Sequence, residues 1–567
     1  MGAGVDEGGH GRGGATAADR WLAARDRPRQ VVCIGDSTSR TVDGELTWVD
    51  LLAVGLGAPG DPAPVEGFRG IWRTQEWSRH GSWRRTTPED PFDAAPFGFG
   101  YVSSGDPADA LTWTRPPGAP VAAFDVCTMV APGLSRAQYR VDGGDWHPVD
   151  PPADDRPPLV LTRTAVRRPV HERVELRAGD GSRPAVVAAD GLDVYATDPD
   201  AARTRVHHLG IGMQNLEIFC RPSAGDPMAL LDLLRPGLVV VGLTNDVMWH
   251  DPQLWQATLR RLWSRIEPYA ELMLISLFDQ RPPRRVDDAV TVAGSDRIRS
   301  RSASFVPSDI TEVVRGTNIP ADPETTIVSV PAGHEVVLSA AASATSDAGE
   351  LVIGHGRDVE IQAAYRAATR QVAASLGCRY LDVHEAWRAR GAAGWDAAAE
   401  AGLMLDRNHA TAEGHRDIAA RVLDLLDRPV EPITSAGGVD LDAAAARPAD
   451  LPEIVPGEGS VVAPSSGTVE LRVPVRLSRA SEGPVTVRWR TWLLDDAEFV
   501  QAPRDDYLPA SGQLTFEAGQ QDAWVAITVV ANSTGVDEMI VVTFREPTGS
   551  RVGGAWGLGF GIVRPLS

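Results

Sequence analysis

The chain has 567 residues, 43% of them hydrophobic, and a formal net charge of -21. That length implies several domains, and the apolar fraction is enough for packed cores. The acidic balance and the lack of a basic patch argue against nucleic acid and anionic membranes as partners.

Residues 1–27 read as a flexible N-terminus, rich in Gly and Ala with interspersed charges over Met1 to Asp19. They lack the apolar stretch of a secretory signal peptide. No run of about 18 apolar residues suggests a membrane helix. Two locations fit: the cytoplasm, or a particle such as a phage tail that is reached without a signal. The four cysteines, Cys33, Cys127, Cys220 and Cys378, are scattered and show no metal spacing. They read as free buried thiols.

Gln30-Val31-Val32-Cys33-Ile34 is an apolar, β-branched run, as expected of a buried parallel strand. Gly35 ends it, and Ser37 then sits at the strand's carboxyl end, where open α/β sheets place their sites. An isolated Gly-Asp-Ser more often caps the next helix.

The stretch from about Pro91 to Asp200 is β-rich. Strands are expected at Ala122–Val130, within Thr164–Arg177 and at Val186–Tyr195. Gln138–Trp146 reads as a hairpin with a Gly-containing turn. Together they predict an inserted β-sandwich over 91–200. Trp72, Trp77, Trp83 and Trp113 flank its start and are candidate platforms for sugar rings, since aromatic faces stack well on them. The alternative is that they are core or interface residues.

Leu238-Val239-Val240-Val241 is a second buried-strand run, ended by Gly242. Asn245 follows with an amide able to donate to a developing oxyanion. Taken singly, it is as readily a turn asparagine. The strand Glu271–Leu277 precedes a second β-rich insertion over 281–354, with paired strands at Thr326–Val330 and Glu335–Ser339. The rest of that insertion, rich in Ser, Arg and Asp, reads as a mobile lid or a contact surface. The core resumes with a helix over Asp358–Leu376 and a strand over Arg379–Val383.

A helix is expected over Ala412–Leu426, capped by Thr411. His409 lies in the loop before it, with Asp406 three residues earlier. A loop lets that short spacing bring the carboxylate to the imidazole, so that Asp406 fixes the tautomer while the other nitrogen faces a serine. His415 reads as a surface histidine. Ser37, Asn245, Asp406 and His409 thus form the inventory of a serine hydrolase.

These clusters resemble the SGNH (GDSL) hydrolase superfamily. Gly35-Asp36-Ser37 matches its first block, Gly242-Leu243-Thr244-Asn245-Asp246 its third, and Asp406-Arg407-Asn408-His409 its fifth. Ala410 to His415 also resemble that fifth block. The resemblance implies a three-layer α/β/α core with a parallel sheet over residues 28–90 and 201–428. It implies Ser37 as nucleophile, His409 as general base and Asp406 as orienting acid. It also implies an oxyanion hole from the Ser37 N–H, a glycine N–H and the Asn245 side chain. The second block resembles His208-Leu209-Gly210-Ile211-Gly212-Met213-Gln214. Met213 stands where a second glycine is often found, so the backbone donor is Gly212 or Met213. Catalysis of this kind needs no cofactor. Similar inserted sandwiches occur in polysaccharide O-acetylesterases, which implies an O-acylated, most plausibly O-acetylated, glycan as substrate. Similar domains also resemble phage tail-associated hydrolases, which keeps open a structural role in a virion, with contacts to other copies through the β-domains.

Residues 429–450 read as a linker. Beyond it, Thr468–Val475, Val485–Trp489, Trp524–Val530 and Ile540–Phe544 alternate with period two, which predicts an antiparallel sandwich over 451–567. Glu458-Gly459, Leu477 to Ser481, Asp505-Asp506-Tyr507, Gly512 to Phe516 and Asp537-Glu538 resemble a Calx-β domain. That implies calcium, for which Glu458, Asp496, Asp505, Asp506 and Asp537 offer hard oxygen ligands. The chain departs from the family's Asp-Gly-Thr-Ala loop, carrying Leu494-Asp495-Asp496-Ala497-Glu498. The alternative is an adhesive sandwich with solvated acidic loops.

Overall fold

A computed structural model describes residues 21–22, 29–39, 46–57, 67–70, 76–81, 84–85, 101–103, 108–118, 120–130, 137–149, 160–178, 187–197, 204–210, 216–220, 228–244, 252–306, 309–310, 312–320, 325–354, 359–405, 408–430, 452–492, 507–508, 510–531, 538–552 and 558–564. At its centre is a five-stranded parallel sheet of β1 (Arg29–Gly35), β2 (Thr204–Gly210), β3 (Leu238–Gly242), β4 (Glu271–Ser276) and β5 (Arg379–Asp382). The spatial order is β2-β1-β3-β4-β5.

Strands β3 and β4 are buried at every position. A parallel sheet covered on both faces demands this, which is why they read as continuous apolar runs. Successive side chains leave opposite faces. Val32, Ile34, Val239 and Val241 pack with α2 (Pro252–Ile266) and α3 (Val359–Leu376) on one side. Val31, Cys33, Leu238 and Val240 pack with α1 (Trp48–Gly55) and α4 (Ala412–Leu426) on the other. The core therefore has three layers. Each fully buried aliphatic side chain contributes about 1.5–3 kcal/mol.

Of the segment expected to be a flexible N-terminus, residues 21 and 22 are described. Trp21 is buried in the core, its backbone N–H donates to the Glu271 carboxylate at 2.5 Å, and Arg29 stacks on its ring. Glu271 is also bound by Arg379. An indole this apolar is worth more inside than in a free tail.

The inserted sandwich begins upstream of the expected boundary at 91. Gly67–Gly70 and Arg84–Arg85 pair into one sheet, with Tyr101–Ser103, Ala123–Val130, Val160–Val166 and Val187–Tyr195. Trp77–His80 joins the other, with Ala110–Thr114, Ala137–Val141, His147–Pro148 and Arg173–Ala178. The expected hairpin turn is present, with Asp142 and Gly143 both at positive φ (51° and 72°). Trp77 and Trp113 are buried between the sheets, so neither is a sugar platform. Trp72 and Trp83 lie outside the described residues.

The described residues of the second insertion, expected to be β-rich with a remainder read as a lid or contact surface, are largely strands, and the expected pair is present at Ile327–Ala332 and Glu335–Leu338. The strands form a six-stranded sheet with its own core around Val286, Ile298, Val336 and Leu351. The C-terminal sandwich pairs a four-stranded sheet with a five-stranded one over a Val- and Leu-rich core. No helix among the described residues is long and apolar enough to cross a membrane. All four cysteines are free and buried.

A buried charge network joins the inserted sandwich to the core. Asp193, on the sandwich strand Val187–Tyr195, is fully buried and bound by Arg205 of β2 and by Arg163, at 2.7 Å in the latter pair. Burial works against the Asp193 carboxylate, yet Arg205, His207 and Arg163 hold its pKa below the usual range. His207 of β2 accepts the Phe68 N–H at 3.1 Å, and its Nε2 lies 3.0 Å from Gln30 Oε1. Replacing Arg205 by Met removes one of the two guanidinium partners of a buried carboxylate and leaves it to Arg163. It is expected to cost about 3–5 kcal/mol, read as a lowered urea midpoint. An unchanged midpoint would show that the network does not hold the domains together.

Candidate functional site

Three glycines end three adjacent strands in register: Gly35 of β1 faces Gly210 of β2 on one side and Gly242 of β3 on the other. After Gly35 the chain turns through Asp36 into a 3-10 turn, Ser37–Ser39, closed by the Ser39 N–H donating to the Asp36 carbonyl at 3.0 Å. The turn folds back over the strand end. A Cβ at Gly35 would lie 2.2 Å from Ser39 Oγ, so the turn needs glycine there. Strand order reverses between β1 and β3, and that crevice is where open α/β sheets bind ligands.

The loops after β1 and β3 are joined by one side chain. Asp36 is fully buried. Its Oδ1 accepts the Thr38 N–H at 2.9 Å and the Thr38 hydroxyl at 2.5 Å. Its Oδ2 accepts the Thr244 N–H at 2.6 Å and the Thr244 hydroxyl at 3.1 Å. Such bonds to a charged acceptor are roughly twice as strong as neutral ones. They fix the backbone of Ser37 from both sides and seat Thr244, the residue before Asn245.

His409 is partly exposed, in a loop that closes on itself. The Leu405 N–H donates to the His409 carbonyl at 2.8 Å. The Thr411 N–H reaches the Leu403 carbonyl at 3.0 Å, and its hydroxyl accepts the Gly414 N–H to cap α4. Gly414 is needed there, since a Cβ would meet the Leu403 carbonyl oxygen at 2.4 Å. The Ser37 side chain, Gly212, Met213, Asn245 and Asp406 lie outside what is described.

His415 is not a surface residue. It is buried under α4, and its Nδ1 accepts the N–H of Trp48, the first residue of α1, at 3.3 Å. That amide is one of the donors a helix start leaves unpaired. Asp50 completes a capping box with Thr47 and lies 3.9 Å from Nδ1 of His208 on β2. Burial pushes the His415 imidazole down to about 4; Asp50 works the other way, and His409 adds to the lowering. The loop bearing His409 is thus coupled through α4 to the start of α1. These contacts were not readable beforehand. Thr47-x-x-Asp50 is a recognisable cap pattern, but its histidine partners come from distant segments.

Of the positions expected to hold calcium, Glu458 lies on the strand Glu458–Val462. Asp496, Asp505, Asp506 and Asp537 lie outside the described residues. Among the described residues no group of three or more His, Cys, Asp or Glu is placed to hold a metal.

No family model and no curated protein matches the chain. Among solved structures, a peptidoglycan O-acetylesterase is similar at 14% identity and a TM-score of 0.39, over 73% of this chain and 95% of its own. The apo form of the Calx CBD1 domain is 16% identical with a TM-score of 0.17, over 21% of this chain and 100% of its own. A CBM22-1 xylan-binding domain from Paenibacillus barcinonensis is 9% identical with a TM-score of 0.16, over 24% of this chain and 99% of its own.

A pH dependence follows from the buried histidines. Burial also pushes His207 down, to about 3, against the pull of Asp193. Both folded pKa values lie below the unfolded value of about 6.5. The unfolded chain therefore binds more protons between these limits. The stability is fully present above about pH 6.5 and is lost as pH falls toward 4 for His415 and 3 for His207. Each group contributes on the order of a few kcal/mol. His415→Asn keeps an acceptor for Trp48 without the titration. Its melting temperature should fall less steeply than the wild type's between pH 6.5 and 4; an identical slope would contradict the assignment.

Proposed function

We propose that this chain is a serine esterase of the SGNH type that removes O-acyl groups, acetyl above all, from a polysaccharide or cell-envelope glycan. The observation that carries the reading is the Asp36 carboxylate, which ties the Ser37 turn to the loop entering Asn245 at the crevice between β1 and β3. A nucleophile and an oxyanion donor need this fixed spacing, because small misplacements at the reacting atoms cost rate steeply.

In the proposed reaction the Ser37 hydroxyl oxygen attacks the ester carbonyl carbon while His409 takes its proton. The carbonyl oxygen becomes an oxyanion. It is held by the Ser37 N–H, the N–H of Gly212 or Met213, and the Asn245 amide. Asp406 holds the imidazole in the right tautomer. His409 then gives the proton to the departing sugar oxygen as the ester bond breaks, leaving an acyl-serine. Water, deprotonated by His409, attacks that acyl group, and the proton returns to Ser37 as the acid leaves. No step requires a metal or cofactor.

The test is hydrolysis of p-nitrophenyl esters of increasing chain length. Acetate should be turned over fastest, and Ser37→Ala should fall to background with an unchanged circular dichroism spectrum. Asp36→Asn should lower kcat by about 100-fold with little change in KM, because it acts through loop position and not through substrate contact. Full activity in Ser37→Ala would sink the proposal.

A further inference from the structure

The C-terminal sandwich carries a feature that its Calx-β resemblance does not explain. The strand Asp522–Val530 turns Val525, Ile527 and Val529 inward and presents Trp524 outward. Trp524 is 53% exposed and is the one aromatic among the exposed large hydrophobic residues described. It faces Pro474 across the strand pair. The open groove it lines has a volume of ≈ 1030 Å³ and is bordered also by Val455, Pro474, Arg472, Arg476, Ser478 and Asp522. Small-ligand sites span about 300–1000 Å³.

The groove's charges are paired. Arg472 bonds Glu470 at 2.7 Å and packs over the indole, its Cζ 4.9 Å from the ring centroid, which steadies the ring. Arg476 lies 3.6 Å from Asp522. A polyanion or polycation gains little from such a surface. A second copy carries the same net charge of -21 and gains no charge complementarity from this paired face. A neutral pyranose fits better. One of its faces is a patch of C–H groups that suits an aromatic ring. Its rim is hydroxyls, each both donor and acceptor, which suits a guanidinium beside a carboxylate.

We propose that this face binds a neutral polysaccharide, with a sugar ring stacked on Trp524 and its hydroxyls bonded by Arg476 and Asp522. The site is on a different domain from the hydrolase core, and the inference does not rest on the esterase reading.

The experiment is affinity gel electrophoresis of the full chain in xylan, glucomannan and hydroxyethyl cellulose, with pull-down on insoluble chitin. Polygalacturonate serves as the polyanion. At least one neutral polymer should retain the protein. Trp524→Ala should weaken that binding by about tenfold, Trp524→Phe by less, and Arg476→Ala measurably. Trp524 is exposed, so its variants should keep the wild-type circular dichroism spectrum. Ser37→Ala should bind like the wild type, which separates this site from the proposed active site. Retention by no neutral polymer, equal retention of Trp524→Ala, or retention by polygalacturonate alone would overturn the proposal.

Discussion

A carboxylate removed from water must find donors, and Thr38 and Thr244 together give Asp36 four. Stripping a charge of water costs several kcal/mol, so the fold around Asp36 is constrained to keep Thr38 and Thr244 where they are. The consequence reaches both loops at the strand ends. One places Ser37 on a tight turn, and the other delivers the chain to Asn245. The glycines at the ends of β1, β2 and β3 are the other half of this constraint. Gly35 and Gly210 clear the space into which Ser39 folds, Gly242 leaves room for the Trp48 ring, and a side chain at Gly35 would push the turn away from its clamp.

The same logic governs the second layer of the site. His415 and His207 are both buried and held neutral, each accepting a backbone N–H that begins a neighbouring segment. One links α4 to α1, and with it the loop bearing His409. The other links β2 to Gly67–Gly70, the first strand of the inserted sandwich. With Arg205 and Asp193 beside His207, the insertion is joined to the core by polar groups that tolerate no loss of a partner. A sandwich held this way is tied to the parallel-sheet core by buried polar contacts.

Much of the core was legible in the sequence because its physics is local. Val31 to Ile34 and Leu238 to Val241 are β-branched runs that only a covered parallel strand accommodates well, and Thr411 marks the start of α4 through its own side chain. What was not legible depends on partners far along the chain. His415 looks solvent-facing until α4 is laid on α1. Trp77 looks like a platform until its strand pairs with the one bearing Trp113. Gly67–Gly70 and Arg84–Arg85 are too short and too polar to announce strands, so the sandwich begins earlier than its alternating segments suggest. The second insertion announces its strand pair near Pro331, but the remainder reads as a polar lid or contact surface because its apolar positions are sparse, yet those few close a core. Of the candidate site, the sequence offers residue types, whereas the Asp36 clamp between the Ser37 turn and Thr244 was not legible. Nothing in a Gly-Asp-Ser triplet says that its aspartate faces a threonine some two hundred positions later.

The central claim is that Ser37 is an activated nucleophile. The most direct measurement is the intact mass of the protein after exposure to a fluorophosphonate, followed by peptide mapping. A single adduct on Ser37, lost in Ser37→Ala and slowed in His409→Ala, is expected. No adduct on the folded protein, or an adduct at another serine, would contradict the claim.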